Sequence, residues 1–302
     1  MDETDLMILM RLTANARTPY RELADHFQMS VAAIHKRIQG MTEEGVIAGY
    51  KLIINPFYKG AFPVMVRGYI GDRKMPQYEE FLASDDRNYQ FILTGGRRVY
   101  LAGMLHGMSE VSEWVEKVRK AFDLQDSQVL FDKDTAEMMD RIRDREYDPE
   151  FQRKDMRILS ELQKDPRAAL SDVAEKVGFT SKFVSRRLNR LLEQRWVQFR
   201  VDFNLVKAKM MVTIMDVHCL GDDGKALFID CLKDVRSSTL LQAVHFTNVP
   251  DEMMVLYTSW DVDALRSTVR ELESCPGVKE ISPNIIYDFR ELPTWIDKSL
   301  HS

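Results

Sequence analysis

The side chains best suited to recognition chemistry fall in one short stretch. Lys182, Ser185, Arg186, Arg187, Asn189 and Arg190 recur at spacings that place them on one side of a helix. Val184, Leu188 and Leu191 fall at i, i+4 and i+7 on the other side. A guanidinium can hold the O6 and N7 edge of guanine through two hydrogen bonds, or it can hold a phosphate. Ser185 and Asn189 add neutral polar readers. A short basic helix, held on a small core through one face only, has the shape and charge to enter a DNA major groove. The plainer reading of the same residues is a solvated basic face.

Residues 169–200, ALSDVAEKVGFTSKFVSRRLNRLLEQRWVQFR, predict two short helices, a tight turn and an exit strand that would position this face. Ser171 is expected to cap the first helix. Gly178 ends it, since a left-handed backbone suits glycine, and Thr180 or Ser181 caps the second. The pattern is written twice, with a constant shift of 150: Asp5 with Asp155, Leu9 with Leu159, Arg17 with Arg167, Ala24 with Ala174, Arg37 with Arg187. In the first copy, His35, Lys36, Arg37 and Gln39 take the outer face of the second helix, and Ser30 caps it. Residues 151–205 hold twelve Lys/Arg against seven Asp/Glu, a net of +5, whereas residues 1–55 hold six against seven, a net of −1. The second copy is therefore the better candidate for a polyanion. The first is expected to bind DNA less tightly or to have become a protein-binding head.

Other chemistries find less support. The 302 residues, 45% apolar and 29% charged with a formal net charge of −5, suit an ordinary globular protein of several domains. The sequence has no Gly-rich phosphate loop, no HExxH and no nucleophile elbow. Three cysteines, Cys219, Cys231 and Cys275, form an odd and widely spaced set that argues against a disulfide framework and against structural zinc. His218 and Cys219 are neighbours in a predicted strand, so they point to opposite faces and cannot share a metal. No cofactor is expected. The acidic start and the lack of a long apolar run predict no signal peptide and no membrane span, hence a cytoplasmic protein.

Taken in order, the chain predicts a helix-turn-helix module over 1–56, a βαββαβ domain over 61–132, a charged linker over 133–150, a second helix-turn-helix module over 151–206, a second βαββαβ domain over 208–290, and a tail over 291–302. The linker reads as helical before Pro149, with Met138, Met139 and Ile142 on one stripe. In the tail, Trp295 and Ile296 are candidates to pack back. The fold class is α+β: two winged helix-turn-helix modules alternating with two ferredoxin-like sheets. Each sheet has its helices on one face, so each needs a cover for the other, and the second sheet is the natural one.

The words DLMILMRLTANARTPYRELADHF, EEGVIAGYKLIIN, LTGGRRVYLAGM and CPGVKEISPNIIY, in this order, resemble the Lrp/AsnC family of transcription regulators, twice over. The resemblance implies double-stranded DNA as partner, paired βαββαβ (RAM-type) sheets, homo-oligomers, and often a small effector such as an amino acid between the sheets. The family's effector pattern, with Gly and Asp after a hairpin Thr, is incomplete in both copies. Thr94 and Gly95 fit in the first, but Arg98 stands where Asp is expected. Thr247 and Asp251 fit in the second, but Asn248 replaces Gly. The expectation is a tandem pseudo-dimer that reads DNA and is effector-modulated through Thr94, Gly95, Arg98, Thr247 and Asp251, with sheet pairing setting the spacing of its heads. The alternative is an enzyme resembling the siroheme decarboxylases of haem biosynthesis, which share this fold.

Overall fold

A computed structural model describes residues 1–55, 60–71, 78–132, 149–204, 207–234 and 240–295. The helix and stripe expected in the linker, and Ile296, lie outside these residues. The first copy runs α1 (Glu3–Ala14), α2 (Tyr20–Phe27), α3 (Val31–Glu43), β1 (Ile47–Ile54), β2 (Phe62–Ile70), α4 (Tyr78–Ser84), β3 (Asn88–Thr94), β4 (Arg98–Leu105), α5 (Met108–Phe122) and β5 (Leu124–Phe131). The second runs α6 (Pro149–Lys164), α7 (Leu170–Val177), α8 (Ser181–Glu193), β6 (Val197–Phe203), β7 (Met211–Cys219), α9 (Gly221–Asp234), β8 (Leu240–His245), β9 (Glu252–Ser259), α10 (Val262–Glu273) and β10 (Val278–Glu291). The chain divides not into its two copies but into a unit of both helical heads and a unit of both sheets.

In the head unit, local chemistry sets the helix ends. Asp2 and Asp5 form a reciprocal capping box on α1. Ser30 Oγ accepts from the Ala33 amide at 3.1 Å, and Thr180 Oγ1 accepts from Phe183 at 3.2 Å. Ser171 does not cap α7: the N-cap is Ala169, and the Ser171 hydroxyl bonds Asp172 instead. Apolar stripes close a core in each head, with Leu6, Leu9, Leu12, Ile34 and Ile38 in one and Ile158, Leu162, Val173, Val184 and Leu188 in the other.

The heads are joined directly. β1 and β6 form an antiparallel ribbon with Tyr50 opposite Val201, Leu52 opposite Phe199 and Ile54 opposite Val197. Arg17 donates to the carbonyls of Pro166 (2.7 Å) and Ala168 (2.9 Å). Its counterpart Arg167 donates to the hydroxyls of Tyr20 (3.2 Å) and Tyr50 (3.1 Å) and lies over both rings. Each head thus grips the other through the same arginine of the repeat. Sheet pairing is present in the other unit, but the heads carry their own joint.

In the sheet unit, eight strands run β5-β2-β4-β3-β10-β7-β9-β8. The antiparallel β3–β10 pairing makes the two halves one sheet. Its ends meet again where Asp132 bridges Phe246 and the Thr247 amide donates to the Phe131 carbonyl at 2.8 Å. One core lies between α4, α5 and the first half, around Trp114, Phe91 and Phe122. A second lies between α9, α10 and the other half, around Phe228, Tyr257 and Leu272. A third, with Ile92, Tyr100, Leu130, Ile214, Phe246 and Met254, lies on the inner faces and draws on both halves. The cover that each sheet requires is the other sheet. Trp295 packs back: its amide donates to the Asp86 carbonyl, and its ring lies 4.6 Å from His106.

One expectation is overturned. Cys231 and Cys275 form a disulfide, with Cα atoms 5.9 Å apart. They are 44 residues apart in sequence, and only the packing of α9 beside the end of α10 brings them together. In the first half, Phe81 and Phe122 meet edge to face at 5.7 Å between α4 and the end of α5, so an aromatic contact and a covalent one serve similar junctions. Cys219 is free and buried.

The turn after α2 carries a strained residue. Gln28 is exposed and left-handed at φ 53°, where the second copy has Gly178 at φ 70°. Gln28→Gly relieves that strain without loss of packing and is expected to raise stability by up to about 1 kcal/mol. Denaturant titration checks this; a midpoint that falls would contradict it.

Candidate nucleic-acid interface

The two helices that carry the candidate residues, α3 and α8, present similar faces. On α8, Lys182, Arg186, Asn189 and Arg190 are exposed, and Ser185 and Arg187 are half-buried. On α3, His35, Lys36 and Gln39 are exposed and Arg37 is half-buried. Arg186 lies 5.7 Å over the Phe183 ring. Phe183 packs on Phe179, which in turn carries Arg157 over its face at 4.9 Å. The base of the α8 face is thus held by an aromatic pair, while the Arg186 guanidinium stays at the surface. Gln39 bonds Glu43 at 2.8 Å along its own helix.

Arg37 and Arg187 differ from their neighbours. Arg187 makes a two-pronged pair with Asp155 of α6, Nε to Oδ1 at 2.8 Å and Nη2 to Oδ2 at 2.6 Å. Arg37 pairs with Asp5 at 2.7 Å and Asp2 at 2.8 Å. Burial works to raise the Asp2 carboxyl, but the Arg37 and backbone hydrogen bonds outweigh it and hold the group below its ordinary value. The same contacts raise the Arg37 guanidinium. Both arginines clamp the third helix of a head to its first, which fixes the angle at which the exposed residues project. The sequence carried the signal, since Asp5 and Asp155 repeat at the same shift as Arg37 and Arg187. The head joint (Arg17, Arg167, Tyr20 and Tyr50) carried a weaker one, the repeated arginine alone.

The effector candidates are not gathered into one site. Thr94 is fully buried and its hydroxyl donates to the Arg98 carbonyl at 3.1 Å, so it shapes the hairpin that holds exposed Gly95. Arg98 turns inward to Asp216 at 3.0 Å. Burial is the largest influence and lowers its pKa, but the Asp216 charge together with the Tyr100 and Tyr69 contacts outweighs that and leaves it raised. Thr247 donates to the Phe131 carbonyl, and Asp251 is exposed beyond β8, its carbonyl bonded to the Cys219 amide. A cavity of about 50 Å³ opens among Met65, Ile92, Leu130, Val244, Phe246 and Met254, and none of the five candidates lines it. Pockets for drug-sized ligands run to about 300 Å³ or more. Among the described residues no cluster of three or more His, Cys, Asp or Glu is placed to hold a metal ion, and no helix is long and apolar enough to cross a membrane.

The Arg187 clamp gives a separable prediction. The Arg187 and Asp155 side chains are 15% and 2% exposed. Arg187→Ala removes the two-pronged partner of a buried carboxylate and is expected to destabilise the head by about 3–5 kcal/mol. Arg186→Ala removes an exposed group and is expected to change stability by less than about 0.5 kcal/mol. Urea titration of both variants checks the contrast, and equal effects would refute the division of roles.

Comparison with known proteins agrees with this geometry. Residues 153–192 match the AsnC-type helix-turn-helix domain family, and residues 1–48 match a winged helix-turn-helix DNA-binding family. The chain is 30% identical over 135 residues to the regulatory protein AsnC of Haemophilus influenzae, covering 43% of this chain and 89% of that protein. It is 33% identical over 106 residues to the HTH-type transcriptional regulator LrpA of Pyrococcus horikoshii, covering 35% of this chain and 70% of that protein. Among solved structures, the siroheme decarboxylase NirDL superposes with a TM-score of 0.60 at 12% identity, over 99% of this chain and 98% of that one, a likeness of fold alone. With near-whole coverage of a single-copy regulator inside less than half of its length, this chain belongs to the Lrp/AsnC family of transcription regulators, with the family's plan present twice.

Proposed function

We propose that this chain is a sequence-specific DNA-binding transcription regulator whose two unlike heads are joined as a pseudo-dimer within one polypeptide. The observation that carries the reading is the exposed basic face of α8, with Lys182, Arg186, Asn189 and Arg190 at the surface while its opposite stripe is buried. Arg186 and Arg190 are the base-edge candidates, and Lys182 is the phosphate candidate. Arg187 and Arg37 position the helices that carry the readers. On α3, His35, Lys36 and Gln39 offer a weaker second contact, because that head is slightly acidic. The direct joint through β1, β6, Arg17 and Arg167 supports a fixed spacing between heads, suited to half-sites about one helical turn or a multiple apart. The heads differ, so the site per chain is asymmetric. Self-association into larger assemblies and a cytoplasmic location accord with this role. An effector at the Thr94–Gly95–Arg98 hairpin would have to compete with Asp216 for Arg98, and it would act only by binding two states unequally.

A second reading rests on one observation, the likeness of fold to the siroheme decarboxylase NirDL over 99% of this chain. It makes this chain an enzyme acting on siroheme. The basic reading face of α8 has no use in that role.

The deciding measurement is binding to DNA fragments selected from the source genome over a salt series, beside the Lys182→Ala/Arg186→Ala/Arg190→Ala variant. The expected result is selective binding that the variant loses. Each bidentate base contact removed costs about 1–3 kcal/mol, and each phosphate contact removed lowers the salt slope by about 1. Binding without fragment preference refutes sequence reading. No binding at low salt, together with decarboxylation of added siroheme, establishes the second reading.

A further inference from the structure

Strand pairing shows which residues of the two sheet halves correspond. Tyr69 lies opposite Arg98 between β2 and β4, and Arg67 lies opposite Tyr100. His218 lies opposite Glu252 between β7 and β9, and Asp216 lies opposite Met254. Matched end to end, β2 (Phe62–Ile70) with β7 (Met211–Cys219) and β4 (Arg98–Leu105) with β9 (Glu252–Ser259), the strands set Asp216 as the counterpart of Arg67 and Glu252 as that of Arg98. The halves meet about a local twofold, β3 against β10 at one junction and the end of β5 against the end of β8 at the other. Such an axis sets one position against its own counterpart and exchanges the rest pairwise.

The charges obey this symmetry in position and break it in sign. Arg67 Nη1 meets Asp216 Oδ1 at 3.0 Å, a position facing its counterpart. Arg98 Nη2 meets Asp216 Oδ2 at 3.0 Å, and Arg67 meets Glu252, as the two exchanged contacts. Tyr100 completes the set by donating to Asp216 at 2.7 Å. Arg67 is 4% exposed, Asp216 1% and Glu252 8%. Both cations come from the first half and both anions from the second. If two first halves met through this face, Arg67 would face Arg67 beside two Arg98 groups, with no carboxylate among them. Two second halves would bury four carboxylates together. Like charges buried without partners are strongly disfavoured, far more than an unlike pair is favoured.

We propose that Arg67, Arg98, Asp216 and Glu252 form a charge code that restricts the inner sheet face to unlike pairing: the first half accepts only a second half, and like halves reject each other. The single-copy plan of the family would pair through identical faces, and the code excludes that here. It confines partner choice for this face to the chain's own second half or the second half of another copy. The inference rests on sheet pairing and stands or falls apart from the DNA reading.

Full-length variants test it by thermal melting. One pair of substitutions, Arg67→Asp with Arg98→Glu, makes both inner faces acidic. A second, Asp216→Arg with Glu252→Arg, makes both basic. Each is expected to lower the melting midpoint by about 10 °C, as a loss of several kcal/mol does in a unit of this size. The fourfold variant, which exchanges the charges between halves, is expected to recover most of the loss. So are the acidic and basic chains expressed together, whose halves can pair only across chains. Midpoints unchanged in the twofold variants would overturn the proposal. A fourfold variant that melts as low as the twofold variants would also overturn it, and that variant decides if it and the co-expressed pair disagree.

Discussion

A sheet with both helices on one face has a second face that must be removed from water, and the sheet unit is organised around that requirement. The first half supplies the cluster around Trp114 beneath its helices, and the second supplies the cluster around Phe228 beneath its own. What remains is the pair of inner faces, which bury Ile92, Leu130, Ile214 and Met254 against one another. The long strand β10 follows from this. It pairs with β7 along its first part and with β3 along its last, so one strand belongs to both halves. Duplication within one chain supplies the second face at fixed concentration.

Duplication also frees the copies to differ. In a symmetric dimer a residue near the axis must tolerate itself, so a charge there is excluded unless it finds another partner. In this chain the position occupied by Arg67 in one half is occupied by Asp216 in the other, and the pair is satisfied with help from Tyr100, Gln128 and Arg98. Burial, and then the Asp216 charge, push the Tyr100 hydroxyl well above the ordinary phenol range, so it remains a donor to that carboxylate. The heads have diverged in the same way. One has become basic while the other has not, yet both keep the Asp–Arg clamp between their first and third helices.

The head unit solves a different problem. A three-helix head is small and buries little apolar surface alone. The ribbon of β1 and β6 adds Leu52, Phe199 and Val201 to the shared interior. The crossed arginines close it: Arg17 satisfies carbonyls at the end of the α6–α7 loop, and Arg167 satisfies two tyrosine hydroxyls in the other head. Burial and the neighbouring Arg167 charge lower the Arg17 pKa, so the joint spends electrostatic repulsion to gain hydrogen bonds and ring contacts. The result is that α3 and α8 are carried on one body.

By itself the sequence determined the elements, the duplication and the family. Periodicity placed Val184, Leu188 and Leu191 inward and Lys182, Arg186 and Asn189 outward, because a helix writes its faces into nearest-neighbour spacing. Caps at Ser30 and Thr180 were legible for the same reason, since a cap reaches only three residues. Tertiary structure decided whatever depends on contacts between distant segments. It turned Arg37 and Arg187 from the surface to Asp5 and Asp155, paired Cys231 with Cys275, sent Arg98 to Asp216, and grouped heads with heads and sheets with sheets. No local spacing records such choices. A guanidinium on a half-exposed helix flank can reach solvent or a neighbouring carboxylate, and only the packing that brings the carboxylate within about 3 Å settles which.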